Sequence, residues 1–184
     1  MKNKVQNFIS EKSLFNKEDK LILGISSGAD SVCLMHILLA LEYKFDLAHC
    51  NFNLREDESD ADEDFVRKLA KELEIECFVE SFETEKFAKE NKFSIQMAAR
   101  ELRYSWLEKI RIKTDSKYIA VAHHKDDDIE TYFINLIRGS GIRGFLGMKE
   151  KKNKIIRPLL NFERNEIESY LMLKNQEFRT DSSN

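Results

Sequence analysis

The feature that most restricts how this chain can fold is an alternation of short apolar runs with longer stretches of helical period. "KLILGIS" (20–26), "FDLAHCNF" (45–52), "IECFVE" (75–80) and "KYIAVAHH" (117–124) are the runs of strand length. Near-continuous apolar runs of this kind belong to strands buried on both faces, as in parallel sheets. Between and around them lie helical patterns. Val5, Phe8, Ile9 and Phe15 mark a first amphipathic helix, and Ser31–Tyr43 reads as a largely apolar one. A helix headed by the acidic run "EDESDADED" runs from about Glu56 to Leu73, with its carboxylates favoured by the helix dipole and repellent to RNA. Helical period continues over 83–112, with Ile95, Ala98, Ala99, Leu102, Trp106 and Ile110 on one face. Ile129, Tyr132, Phe133, Leu136 and Ile137 give the next helix, and a short "KIIRPLL" strand and a helix near 163–174 close the chain. This order predicts an α/β fold of three layers, a mostly parallel sheet with helices on both faces.

At 184 residues and 42% hydrophobic content, one well-buried domain over 1–184 is expected. No window approaches the roughly 18 apolar residues of a membrane span, and the amphipathic start lacks the apolar core of a signal peptide. Cys33, Cys50 and Cys77 are few, odd in number and without a C-x-x-C pair, which points to reduced thiols and a cytoplasmic protein, not to a disulfide or zinc framework. The net charge of −3 advertises no global nucleic-acid affinity. The one dense basic run, "KEKKNKIIR" (149–157), is either an ordinary solvated loop or a local phosphate contact.

In a parallel sheet of this kind, ligands bind beyond the carboxyl ends of the strands. Three polar clusters fall there: Ser26-Ser27-Gly28-Ala29-Asp30-Ser31 after the first strand, His49–Arg55 after the second, and His123–Asp128 after the fourth. "SSGADS" suits an anion. Small residues admit the backbone, Gly28 can adopt φ > 0, the following helix points its N-terminal N–H groups at the same place, and Ser26 and Ser31 add hydroxyls. Asp30 is equally a helix cap or a carboxylate for Mg²⁺ beside phosphate. No Walker G-x-x-x-x-G-K-[ST] is present, and the G-x-G-x-x-G match "GSGIRG" (139–144) follows a helix where a dinucleotide site needs a strand. In "HHKDDDIET", Asp126–Asp128 can simply complement a helix dipole, while Asp127 and Glu130 share a helix face and can meet an ammonium or Mg²⁺. Arg100 and Arg103 share the polar side of their helix.

"SSGADS" resembles the S-G-G-x-D-S pyrophosphate loop of the N-type ATP pyrophosphatases. Together with "HCNFNLR", "IQMAARELRY", "HHKDDDIET", "LIRGSGIRGFLGM", "IIRPLL" and the terminal "DSSN", it resembles the catalytic domain of bacterial tRNA(Ile)-lysidine synthases, in order from about residue 20 to 184. The chain departs from that pattern at Ser27, in a glycine's place, at Phe52 and Asn53 in the usual H-x-N-H-G-L-R block, at Gln96 and at Asp128. The resemblance implies a Rossmann-like adenine nucleotide alpha hydrolase fold. It implies ATP and Mg²⁺, with tRNA(Ile) bearing a CAU anticodon and L-lysine as partners. Ser26, Ser27, Gly28, Ala29, Asp30 and Ser31 would hold pyrophosphate, and His49 and Asn51 would lie against adenine. Asp30, Arg103, His123, Asp127 and Glu130 would be catalytic, with Asp30 and Asp127 at the metal. A penalty of about 1 kcal/mol is expected at Ser27 if its position needs φ > 0. Family members continue into further tRNA- and lysine-contacting regions, so a fragment or short member is expected, able to bind ATP yet slow on tRNA. The competing expectations are a tRNA-thiolating or amidating ATP pyrophosphatase and a non-catalytic adenine-nucleotide module.

Overall fold

The structure, a computed structural model, describes residues 1–137 and 147–179. Six strands form one sheet in the order β3-β2-β1-β4-β6-β5: β1 (Leu21–Gly24), β2 (Phe45–Asn51), β3 (Cys77–Ser81), β4 (Tyr118–Ala120), β5 (Lys151–Lys152) and β6 (Ile155–Ile156). All neighbours are parallel except β5 with β6. The expected fifth strand is therefore half of a short hairpin, whose antiparallel outer strand caps the sheet edge.

Alternate strand residues enter two separate cores. Leu21, Leu23 and Leu47 pack with α1 (Lys2–Glu11), α2 (Ala29–Ala40), α3 (Glu56–Glu72) and α7 (Arg164–Leu173) through residues such as Phe8, Leu34, Val66 and Leu171. Ile22, Ala48, Ile119 and Val121 pack on the other face against Trp106, Leu107 and Ile110 of α5 (Ile95–Lys113). The sheet is thus covered on both faces, and the three-layer expectation holds.

The continuous helical period over 83–112 divides into α4 (Thr84–Asn91) and α5. Lys92 takes the left-handed conformation at φ 55°, and the Phe93 N–H donates to the Ala88 carbonyl to close α4. Ser94 then caps α5 by accepting from the Met97 N–H at 3.2 Å. Apolar period crosses this break unmarked. Ile95, expected on the buried face, is 40% exposed because it sits in the first turn beyond it. The apolar stripe of α6 (Lys125–Ile137) is also exposed, Ile137 to 83%.

Candidate active site

β2 extends three residues past the β1 pairing Gly24↔Ala48, and β4 lies on the opposite side of β1. The chain switches direction across the sheet at β1, so the carboxyl ends of β1, β2 and β4 meet in one cavity of about 400 Å³. That volume suits a nucleotide-sized ligand. Its wall includes Ser26, Asp30 and Ser31 after β1, His49 and Asn51 on β2 with Phe52 just after it, Arg103, Tyr104 and Leu107 on α5, and His123 and Asp127 after β4. All three sequence clusters reach it. Ser27, Gly28 and Ala29 form the rest of the loop without lining the cavity, and Glu130 is exposed outside it.

The loop is closed by its own serines. The Ser26 N–H donates to Ser31 Oγ at 3.0 Å, and Ser31 Oγ–H reaches the Ser26 carbonyl at 2.8 Å. The Gly28 N–H approaches Ser26 Oγ at 3.3 Å. Ser31 was expected as a ligand donor, yet its proton is engaged in the turn. Gly28 lies at φ −73°, ψ 155°, so the expected left-handed glycine is absent here. Ser27 is likewise outside the left-handed region, and its carbonyl accepts the Arg179 N–H at 2.9 Å. The serine in the glycine position therefore carries no φ strain. The first-turn N–H groups of α2 have no intrahelical partner and remain available to an anion.

Two cavity histidines are fixed in opposite senses. His49 Nδ1 lies 3.0 Å from the Ile25 carbonyl, which can only accept, so Nδ1 carries the proton. Its Nε2 is a bare acceptor, buried and without a partner among the described residues. Burial lowers the His49 pKa, which keeps the ring neutral. At His123 the donor is Arg157, whose Nε–H approaches Nδ1 at 3.1 Å. The proton of that ring therefore sits on Nε2. Burial foremost, then the facing Arg157, pushes the His123 pKa down to about 4.

Beyond them, three carboxylates surround His124, with Asp30 and Asp127 on its Nε2 side and Asp126 at 3.8 Å from Nδ1. Its Nδ1 accepts the Asp126 N–H at 3.2 Å, which turns Nε2 toward Asp30 Oδ2 at 3.6 Å and Asp127 Oδ2 at 3.7 Å. Asp127 also accepts the His124 N–H at 2.8 Å, so the helix-cap role and the site role coincide in one carboxylate. Burial raises the Asp30 pKa, Asp127 adding and His124 opposing. Asp30 Oδ1 is buried and has no hydrogen-bond partner among the described residues. Such an oxygen beside a second carboxylate fits Mg²⁺, which takes one or two carboxylates plus phosphate and water oxygens.

Arg103 lies over the Phe52 ring, 5.2 Å from its centroid, and Phe52 stacks on Phe82 at 5.8 Å and 23°. Asn53 occupies φ 50°, the conformation that a glycine at that place would adopt freely. Its N–H donates to Asn51 Oδ1 at 3.0 Å, while Asn51 Nδ2 donates to Glu63 at 3.0 Å and Asp60 at 3.3 Å. Asn51, expected against adenine, reaches the cavity with its amide engaged in ordering α3, and two carboxylates of the acidic run have a structural partner.

Sequence reasoning placed His124 in the His123–Asp128 cluster without a role of its own and missed the place of Arg157 at the site. Arg157 was grouped with a basic surface run, yet it is 5% exposed. Its signal was a charged residue inside the apolar "IIRPLL". Lys151 of the same run is also tied inward, to the Leu14 carbonyl at 2.8 Å, leaving Lys149, Lys152 and Lys154 exposed. Asp128, a departure from the family pattern, accepts the Met148 N–H. The "GSGIRG" segment and "DSSN" lie outside the described residues.

The sequence matches the PP-loop domain family over residues 1–184. It is 47% identical to the tRNA(Ile)-lysidine synthase of Bacteroides thetaiotaomicron over 184 residues, covering 100% of this chain and 43% of that protein. With the enzyme of the same name from Porphyromonas gingivalis (strain W83) it shares 48% identity, covering 99% of this chain and 40% of the relative. The corresponding figures for Clostridium perfringens are 39%, 100% and 40%. The chain thus spans about two-fifths of the length of these curated relatives. Among solved structures, the U34-tRNA thiolase NcsA from Methanococcus maripaludis with its [4Fe-4S] cluster aligns with TM-score 0.77 at 22% identity, over 97% of this chain and 64% of that one. The NH3-dependent NAD synthetase from Campylobacter jejuni aligns with TM-score 0.65 at 18% identity, over 96% and 72%. These two likenesses concern the fold alone.

Proposed function

We propose, from the premise that this chain belongs to the PP-loop domain family, that it carries the ATP-cleaving centre of a cytoplasmic tRNA(Ile)-lysidine synthase. The observation that carries this reading is the 47% identity to a curated enzyme of that name along all 184 residues, which takes in every element of the cavity wall.

In this reading ATP lies across the carboxyl ends of β1, β2 and β4. His49 Nε2, a buried acceptor without a partner among the described residues, suits the exocyclic amine of adenine. The phosphates extend toward the N-terminus of α2, where first-turn N–H groups and the dipole favour negative charge. Mg²⁺ would be held by Asp30 with Asp127 beside it, and would supply charge neutralisation for the departing pyrophosphate. The C2 oxygen of the CAU anticodon's first cytidine attacks the α-phosphorus, the bond to the bridging oxygen breaks, and pyrophosphate leaves. The amine of L-lysine then attacks C2, and AMP departs with the former C2 oxygen. Arg103 at the cavity wall and His123 through Nε2–H are donors placed for charge on the α-phosphoryl oxygens and on the leaving AMP. Such donors act without reorganisation only if they are held in place beforehand, as the Phe52 ring and the Arg157 guanidinium hold these two. Asp127 and the exposed Glu130, three residues along α6, are left for the lysine ammonium.

The thiolation reading fares worse on chemistry. Burial pushes the Cys33 and Cys50 thiols up to about 12 and that of Cys77 to about 11, so none is a thiolate near neutrality. The acceptor separates the readings directly. After adenylation of tRNA(Ile) with a CAU anticodon, AMP release on adding lysine is expected. Release with ammonium or a sulfur donor, and none with lysine, would overturn it.

A further inference from the structure

Arg157 is an unusual residue to bury, and what it touches gives the reason. It follows β6, whose Ile156 pairs with Ala120 of the parallel β4, so its side chain lies beside the chain segment that carries His123. Its backbone N–H donates to the Glu150 carbonyl at 2.8 Å, which fixes the main chain, and its Nη1–H donates to the Lys149 carbonyl at 2.8 Å, which anchors the guanidinium. Its Nε–H is left pointing at His123 Nδ1, 3.1 Å away. A guanidinium has five N–H donors and no acceptor, and it does not deprotonate in proteins. The imidazole nitrogen that faces it must therefore offer a lone pair. With only one ring nitrogen protonated, the proton is on Nε2, and His123 lines the cavity.

We propose that Arg157 is a positioning residue that locks His123 in the Nε2–H tautomer and so presents a neutral hydrogen-bond donor to the cavity. The opposite orientation of His49, whose Nδ1–H is taken by the Ile25 carbonyl, shows that the two rings are set independently by what stands behind them. The groups around His123 agree with a neutral ring. Burial foremost, then Arg157, with Arg100 and Arg103 adding, lowers its pKa, and Asp127 opposes them. A donor that is neutral throughout turnover can stabilise developing phosphoryl charge without giving up a proton. For its effect on turnover the inference rests on the ATP-cleaving reading above; the tautomer itself does not.

The test is two-bond ¹H–¹⁵N correlation of the histidine rings in the ¹⁵N-labelled 184-residue chain at pH 7, with the His123 signals assigned by their loss in His123→Asn. Protonated Nε2 and bare Nδ1 are expected for His123, with the reverse pattern for His49. In Arg157→Met the His123 ring should become a mixture of tautomers, and Arg157→Lys should restore the Nε2–H form in part. In tRNA-dependent ATP–pyrophosphate exchange, Arg157→Met should lower kcat by about 10–100-fold, the usual effect of losing an orienting partner, with KM for ATP little changed. A wild-type His123 protonated on Nδ1, or on both nitrogens, overturns the proposal even if Arg157→Met fails to fold. A folded Arg157→Met that keeps the Nε2–H tautomer, or keeps kcat, overturns it as well. Absence of exchange by every variant, wild type included, would count against the ATP-cleaving reading, while the ring spectra would still decide the tautomer.

Discussion

Neutral histidine is the recurring device of this cavity, used once as an acceptor and once as a donor. Because His49 Nε2 is buried with no partner among the described residues, its proposed bond to adenine has a specific consequence. Replacing it by leucine should weaken ATP binding by ~1–3 kcal/mol, while a purine riboside triphosphate lacking the 6-amino group should bind the two proteins alike. Titration calorimetry with the two nucleotides checks this. At His123 the consequence concerns stability. The ring titrates near 6.5 when unfolded and at about 4 when folded. Between those values the unfolded state binds a proton that the folded state refuses, so stability is full above 6.5 and falls as pH drops toward 4. The loss approaches about 3 kcal/mol at the acid end. His123→Gln lacks this ring, and urea unfolding at pH 7 and pH 4.5 should show a shallower decline than the wild type. Neither tautomer was legible in the sequence, because each depends on a residue far along the chain or on a backbone carbonyl. Only the adjacency of both histidines to strand ends could be read.

At the scale of elements, the loop between β1 and α2 answers the question that Ser27 raises. Its position does not require a left-handed backbone, and its carbonyl accepts the Arg179 N–H at 2.9 Å. Ser27→Gly should therefore leave ATP affinity within about twofold while costing ~0.5–1 kcal/mol of stability through added chain freedom in the unfolded state. Calorimetry and thermal unfolding measure the two separately. Asn53 is the contrasting case, where the family's glycine does mark a left-handed residue, at φ 50°, and asparagine tolerates it. Elements with strong period were legible: β1, β2, β3, β4 and the helices that follow them lie where the apolar runs placed them. The break between α4 and α5 was not, because a serine cap and a left-handed lysine leave the apolar spacing undisturbed. The β5–β6 hairpin was half legible, since its two-residue strands carry too little pattern to separate a pairing partner from a loop.

Over the whole molecule, a mostly parallel sheet with its strand order reversed at β1 gathers clusters as far apart in the chain as Ser26 and Asp127 at one edge. That convergence was readable because the alternation of strand and helix fixes which strand ends share a side. What lay beyond the sequence was the supporting layer of Arg157, His124 and Asn51, whose roles exist only once β6, β4 and α3 are packed together. None of the helices among the described residues is long and apolar enough to cross a membrane. In the proposed function this edge cleaves ATP between its α- and β-phosphates in answer to a tRNA. That cleavage is tested most directly by ATP–pyrophosphate exchange in the presence and absence of tRNA(Ile) with a CAU anticodon, comparing the wild type with Asp30→Ala. Exchange that appears only with that tRNA and is abolished by Asp30→Ala is the expected result. Exchange that is indifferent to the tRNA, or that survives the loss of the Asp30 carboxylate, would contradict it.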